Sequence, residues 1–266
     1  MSTVAVATGA ADSQAVEAVK NHHARLAGAL AVQVEALVEA AARGDLPGAG
    51  AASAALVRWC DAQLIPHALA EEQAMYPRAH EDPRAALLVD AMLVEHQNLA
   101  VLVEALAQSD DPVRAAANAQ ALRSLFDSHL VKENEQILPL LAESSTVSLA
   151  DILGGMHELL GEQNHGEVVY ADADAECGCG GECGCGHQHP EAVLPELDAR
   201  EVPHAIRHAM IFGALDSIRA GSGLVLVAPH DPLPLLAQIE QRSPGLFSVD
   251  YLQRGPENWR VRFIRA

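Results

Sequence analysis

The sequence predicts a multi-domain protein: an all-α up-down four-helix bundle followed by a small α/β two-layer sandwich of order βαβαββ. Three observations carry this expectation. One frame occurs twice on stretches of helical periodicity, as His67-x3-Glu71-x5-Pro77 and His129-x3-Glu133-x5-Pro139. The net charge of −19 lies wholly in the first 192 residues, which hold nine basic and 28 acidic side chains, whereas residues 193–266 hold eight of each. Residues 224–228 read Leu-Val-Leu-Val-Ala, an unbroken apolar run of the kind a strand shows when both its faces are covered.

A chain of 266 residues suits two domains, and a half-apolar, Ala-rich composition with 3% aromatics suits helix packing. The acidic balance without a Lys/Arg cluster argues against nucleic acid and anionic membranes as partners. No apolar run reaches the roughly 18 residues of a membrane span. The first residues lack the basic start and long apolar core of a secretory signal, and residues 1–14 read as a disordered tail. Four of the five cysteines crowd into nine residues, too close for an ordinary disulfide framework, so the expected setting is reducing and cytoplasmic.

Residues 15–166 read as the bundle. On the first helix Val16, Val19, His23, Leu26, Leu30, Val34 and Leu37 form one stripe at steps of three and four. His22 falls with Arg25 and Gln33 on a more polar side, so periodicity favours His23, with His22 left open as the alternative. Gly44 and Pro47–Gly50 end this helix. The second helix starts near Ala52 and carries Trp59, Leu64, His67, Glu71 and Met75. Pro66 is expected to kink it and Pro77 to end it. The third, Asp82 to Gln108, places Leu88, Met92, His96, Leu99, Val103 and Leu106 on one face. Asp110-Asp-Pro112 turns the chain into a fourth helix with Leu122, Leu125 or Phe126, His129, Glu133 and Ile137 inward, stopping near Pro139. A fifth, Leu149 to about Asn164, packs across the bundle.

His23, His67, Glu71, His96, His129 and Glu133 thus fall on stripes that are otherwise apolar. A lone histidine there is usually a satisfied core residue. Six such positions at repeated spacing are another matter, because a buried carboxylate without a partner costs several kcal/mol against a domain stability of roughly 5–15 kcal/mol. Cations compensate both carboxylates at once. Imidazole and carboxylate suit Fe, Mn or Zn, the absence of cysteine disfavours structural zinc, and iron is the expected metal. Glu135 is a second candidate carboxylate, turned away by its spacing of six from His129.

These residues resemble the hemerythrin-like, or HHE, cation-binding domains. The likeness rests on His23-Ala-Arg-Leu26, His67-x3-Glu71 with its following Glu and Pro, Glu95-His96-x2-Leu99, and His129-x3-Glu133. It implies a non-haem di-iron centre with oxo or hydroxo and carboxylate bridges, in which His23, His67, His96 and His129 are terminal ligands and Glu71 and Glu133 the bridges. Two departures argue against reversible oxygen carriage. The second histidine of oxygen carriers, one turn after the helix-three ligand, is Ala100 here, and their His-x4-Asp is here His-x3-Glu. The set looks more like the bacterial branch linked to nitric oxide handling and iron-centre repair.

Residues 167–192 read as a flexible linker containing Cys177, Cys179, Cys183, Cys185, His187 and His189, either a soft-metal chelator or a low-complexity tether. Cys60, beside Trp59, reads as packing. In residues 193–266 a short strand at Leu197–Arg200 precedes a helix from Pro203 to about Ala220. Leu224–Ala228 is the second strand, a second helix spans Leu233 to about Arg242, and strands follow near Phe247–Leu252 and Trp259–Ile264. The segment resembles a small family often fused to hemerythrin-like domains, with a fold like that of the TusA sulfur carriers, through Leu197–Arg200, His230-Asp-Pro232 and Gly255–Trp259. It lacks the cysteine such carriers need. His230 and Asp231, with His204 and His208 one turn apart, are a candidate ligand cluster, although Asp231 reads better as a helix cap.

The expected function is binding of O2 or NO at two iron ions for sensing, scavenging or stress response, with an electron or metal-acceptor protein as further partner. Two alternatives stand beside it: a metal store or repair donor using the cysteine linker, and a di-iron NO or O2 reductase or peroxidase. The sequence leaves open whether the protein is an enzyme.

Overall fold

The computed structural model describes residues 10–144, 148–154, 156, 194–200, 202 and 204–266. The linker with its four cysteines, residues 1–9 of the expected tail, and the expected fifth helix past residue 156 lie outside the described residues.

Helix α1 spans Ala10–Ala42. It begins inside the stretch expected to be a tail, because Asp12 accepts from the Ala150 N–H at 3.2 Å and Ala15 and Val19 pack into the core. Helix α2, Leu46–Trp59, starts at Asp45, whose carboxylate accepts from the Gly48 N–H, with Pro47 in the first turn. The rod continues through a π turn, Cys60–Leu64, then α3, Ile65–Ala70, a second π turn, Glu71–Met75, and α4, Tyr76–His80. Helix α5 is Ala86–Ala107. Helix α6, Pro112–Lys132, is capped by Asp111 and continues through a third π turn, Glu133–Ile137, into α7, Leu138–Ala142. Residues 149–154 form α8.

The three π turns share one cause. The residue before each of Pro66, Pro77 and Pro139 reaches back five positions: Ile65 N–H to Cys60, Tyr76 to Glu71, and Leu138 to Glu133. Proline offers no N–H, and its ring crowds the carbonyl four residues earlier. Widening the turn by one residue relieves both conflicts. At Pro66 the expected disturbance takes the form of a widened turn, and the expected stops at Pro77 and Pro139 are replaced by short helices that run on.

The bundle core divides into two apolar clusters. Leu26, Leu64, Leu99 and Phe126 belong to one, and Val19, Met75, Met92 and Ile137 to the other. His23, His67, Glu71, His96, His129 and Glu133 lie between these pairs in sequence and form a buried polar layer between the clusters. Helix α5 is long and apolar enough to cross a membrane by length and composition. Here its Met92, His96, Leu99, Val103 and Leu106 stripe is buried in the bundle.

The C-terminal domain has the expected order: β1 (Glu196–Asp198), α9 (His204–Asp216), β2 (Gly223–Ala228), α10 (Leu233–Arg242), β3 (Phe247–Gln253) and β4 (Trp259–Arg265). The sheet order is β1-β2-β4-β3, with β1 and β2 parallel and the other pairs antiparallel. Leu224, Leu226, Val261 and Phe263 face α9 and α10 in one core. Asp231 does not cap α10. Its carboxylate instead accepts from the Tyr251 hydroxyl at 2.7 Å.

This domain sits directly on α1. Ala31 and Val32 of α1 join its core, on the side of the helix away from Leu30 and Val34. A Cβ added at Gly28 would come within 1.9 Å of the Met210 carbonyl, and one at Gly213 within 2.1 Å of the Arg25 carbonyl. The two helices therefore cross backbone to backbone at two glycines. His208 lies against this seam in a groove with Asn21 and Arg25. The His204 side chain lies outside the described residues.

Candidate metal centre

Each rod delivers its part of the polar layer by helical spacing. His67 and Glu71, and His129 and Glu133, are one turn apart on single faces. The His67 Nε2 to Glu71 Oε1 distance is 2.9 Å, and that from His129 Nε2 to Glu133 Oε1 is 3.6 Å. His23 enters from α1, with Nε2 at 3.2 Å from Glu71 and 3.7 Å from Glu133. His96 enters from α5, with Nε2 at 3.5 Å from Glu71 Oε2 and 3.0 Å from His129 Nε2. All six residues proposed from the sequence converge. His23 is the inward member of its pair, and Glu135 is exposed.

The donor atoms form two groups that share a residue: His23, His67, Glu71 and Glu133, and Glu71, His96 and His129. Within each group they lie within 4.8 Å of one another. Both carboxylates are fully buried, and Glu71 Oε2 and Glu133 Oε2 have no hydrogen-bond partner. His67 Nε2 is close to Glu71 but too far off line to bond it. Buried oxygens and an imidazole nitrogen left without donors fit cation ligands. A solely structural network would have used them.

The orientation of three imidazoles is fixed from behind. His23 Nδ1–H donates to Asn134 Oδ1 at 2.9 Å, His96 Nδ1–H to Glu72 at 2.8 Å, and His129 Nδ1–H to Glu95 at 3.0 Å. Glu95 is itself paired with Lys132. Each bond turns an Nε2 into the centre, the usual support of a metal-ligating histidine.

Tyr76 was not foreseen. Its hydroxyl donates to Glu133 Oε1 at 2.7 Å and lies 3.1 Å from His129 Nε2. On a regular helix a residue five positions after Glu71 points about 140° away from it. The π turn at Glu71–Met75 brings it back, and both Met75 and Tyr76 are buried. Burial, and then the charges of Glu71 and Glu133, push the phenol far above its ordinary range, so it remains a donor. Glu72, Glu95 and Asn134 were also missed. Only the Glu that precedes His96 and the Glu that follows Glu71 hinted at them.

The cluster's proton balance predicts a pH dependence for protein stripped of metal. Burial disfavours charge on His23, His96 and His129, but hydrogen bonds and charge from Glu71 and Glu133 outweigh it and raise all three above 6.5. Burial likewise opposes ionisation of Glu71, yet His67, His23 and His96 hold its carboxyl well below 4.5. The histidines' contribution is complete below pH 6.5 and is lost as pH rises through their folded values. That of Glu71 is present above pH 4.5 and is lost as pH falls through its folded value. The melting temperature of chelator-treated protein should therefore fall as pH rises above 6.5, and that of reloaded protein should not.

Residues 14–141 match the family model described as the hemerythrin HHE cation binding domain. The bundle is an HHE domain. Residues 196–265 match the family described as uncharacterized conserved protein (DUF2249). Among curated proteins and among solved structures nothing matches the chain. The HHE domain and its buried His/Glu cluster make this a metal-binding protein. Cys60 takes no part: it is fully buried, and burial pushes its thiol up to about 12.

Proposed function

We propose that the HHE domain holds two iron ions and binds O2 or NO there, for sensing, scavenging or a nitrosative or oxidative stress response. The observation that carries this is the sharing of Glu71 between two ligand groups. One carboxylate offered to two groups of imidazoles is the arrangement of a bridged pair. His23 and His67 would serve one ion, His96 and His129 the other, with Glu71 and Glu133 reaching across. The donors are nitrogen and oxygen only, which suits iron. Bound iron supplies affinity for a diatomic gas. The protein side excludes larger ligands, since the six residues are at most 5% exposed. Tyr76 offers a hydroxyl beside the centre.

Anaerobic purification, metal analysis and optical spectra before and after O2 and NO test this reading. Two irons per chain with charge-transfer bands altered by either gas are expected. Zinc, or a single metal unaffected by Glu71 substitution, would overturn it. Saturation at one gas molecule per centre marks a binder, and sustained turnover with an electron donor marks a reductase or peroxidase.

A further inference from the structure

We infer that His22 is the orienting partner of His67, and that the His23–His67 half of the centre is consequently its neutral-partnered, weaker-binding half. The inference rests on the two-metal reading above.

Three of the four inward histidines have an oxygen behind Nδ1, namely Asn134, Glu72 and Glu95. His67 has none: its Nδ1 is sealed from solvent with no hydrogen-bond partner. One other imidazole nitrogen among the described residues shares that condition outside the layer, and it is His22 Nε2. The two rings are neighbours, 4.9 Å between centroids and inclined at 61°. Two buried, unpaired ring nitrogens on adjacent rings each carry a desolvation cost. A single hydrogen bond, His67 Nδ1–H donating to His22 Nε2, removes both costs. The χ2 torsion of histidine is broad enough for the small ring rotation this needs. A cation on His67 Nε2 fixes the tautomer that places the proton on Nδ1. As the acceptor, His22 is the neutral imidazole with its own proton on Nδ1.

The consequence is an asymmetry. His96 and His129 are backed by carboxylates, which raise ligand basicity. His23 and His67 are backed by an amide and an imidazole, both neutral. The two ions therefore sit in electronically different halves, although the ligand types are the same.

Anaerobic Fe(II) titration of the full chain, followed by calorimetry, should show two uptake steps of unequal affinity. His22→Phe fills the space without an acceptor and should weaken only the weaker step, by roughly 10- to 100-fold. His22→Gln, which restores an acceptor, should recover most of that loss. In the zinc-loaded chain, 15N spectra should place a protected proton on His67 Nδ1 that disappears in His22→Phe. The inference is overturned if both steps survive His22→Phe unchanged, if Gln fails to rescue, or if His22 Nε2 itself shifts as a metal ligand. Absence of any uptake by the unaltered chain overturns the metal reading itself, and is a separate result.

Discussion

Glu71→Gln and Glu133→Gln proteins are expected to leave gel filtration without metal. Glutamine keeps the volume of the side chain but cannot carry the charge that two cations require. Losing an orienting partner behind a ligand costs roughly 10- to 100-fold in affinity, and losing a carboxylate shared between two ions should cost more than about 100-fold. Glu71 should have the larger effect, because it alone belongs to both donor groups. Circular dichroism should report unchanged helix content, since the substitutions leave the apolar clusters on either side of the layer intact. Glu135→Gln is the control, because that side chain faces solvent. Retention of two metals by Glu71→Gln would sink the assignment of bridge.

Gly28→Ala or Gly213→Ala should detach the C-terminal domain from the bundle. The added methyl would land on a backbone carbonyl, which unlike a side-chain end cannot swing aside. Overpacking of this kind costs roughly 1–3 kcal/mol or more, comparable with what a small interface supplies. Scattering should show a more extended particle, and protease should cut within α9 faster. Gly50→Ala, where nothing lies within 4 Å of the new carbon, should change neither. Unaltered scattering in both seam variants would mean that the apolar contacts of Ala31 and Val32 hold the domains without the close crossing.

Much of the site was legible because helical spacing is a strict rule. His23, His67, His96 and His129 could be assigned inward from steps of three and four, and Glu71 and Glu133 from the repeated His-x3-Glu. The choice of His23 over His22 followed from the same stripe. The βαβαββ order of the second domain was equally readable, from one unbroken apolar strand and the turn residues around it. Tyr76 was hidden because the rule changes locally: Pro77 forces a wider turn, and counting at 3.6 residues per turn then points to the wrong face. The seam on α1 was hidden for a different reason. Glycine within a helix reads as a weak point, and only the partner backbone shows that the missing side chain is the contact. Asp231 carried a capping signature and is claimed instead by the half-buried Tyr251, 20 positions along the chain, whose hydroxyl makes a charge-assisted bond to it.

The prolines behind Glu71 and Glu133 bear on how fast the centre fills. An ordinary helix could relax to a tighter turn once its cations leave, and would then have to reopen before taking them up again. Pro77 and Pro139 have no amide hydrogen with which to close that tighter turn. The widened turns that begin at the two carboxylates are therefore present with or without cargo. Loading should proceed at the rate at which ions reach the layer, with reloading as quick as first filling and no lag after chelation.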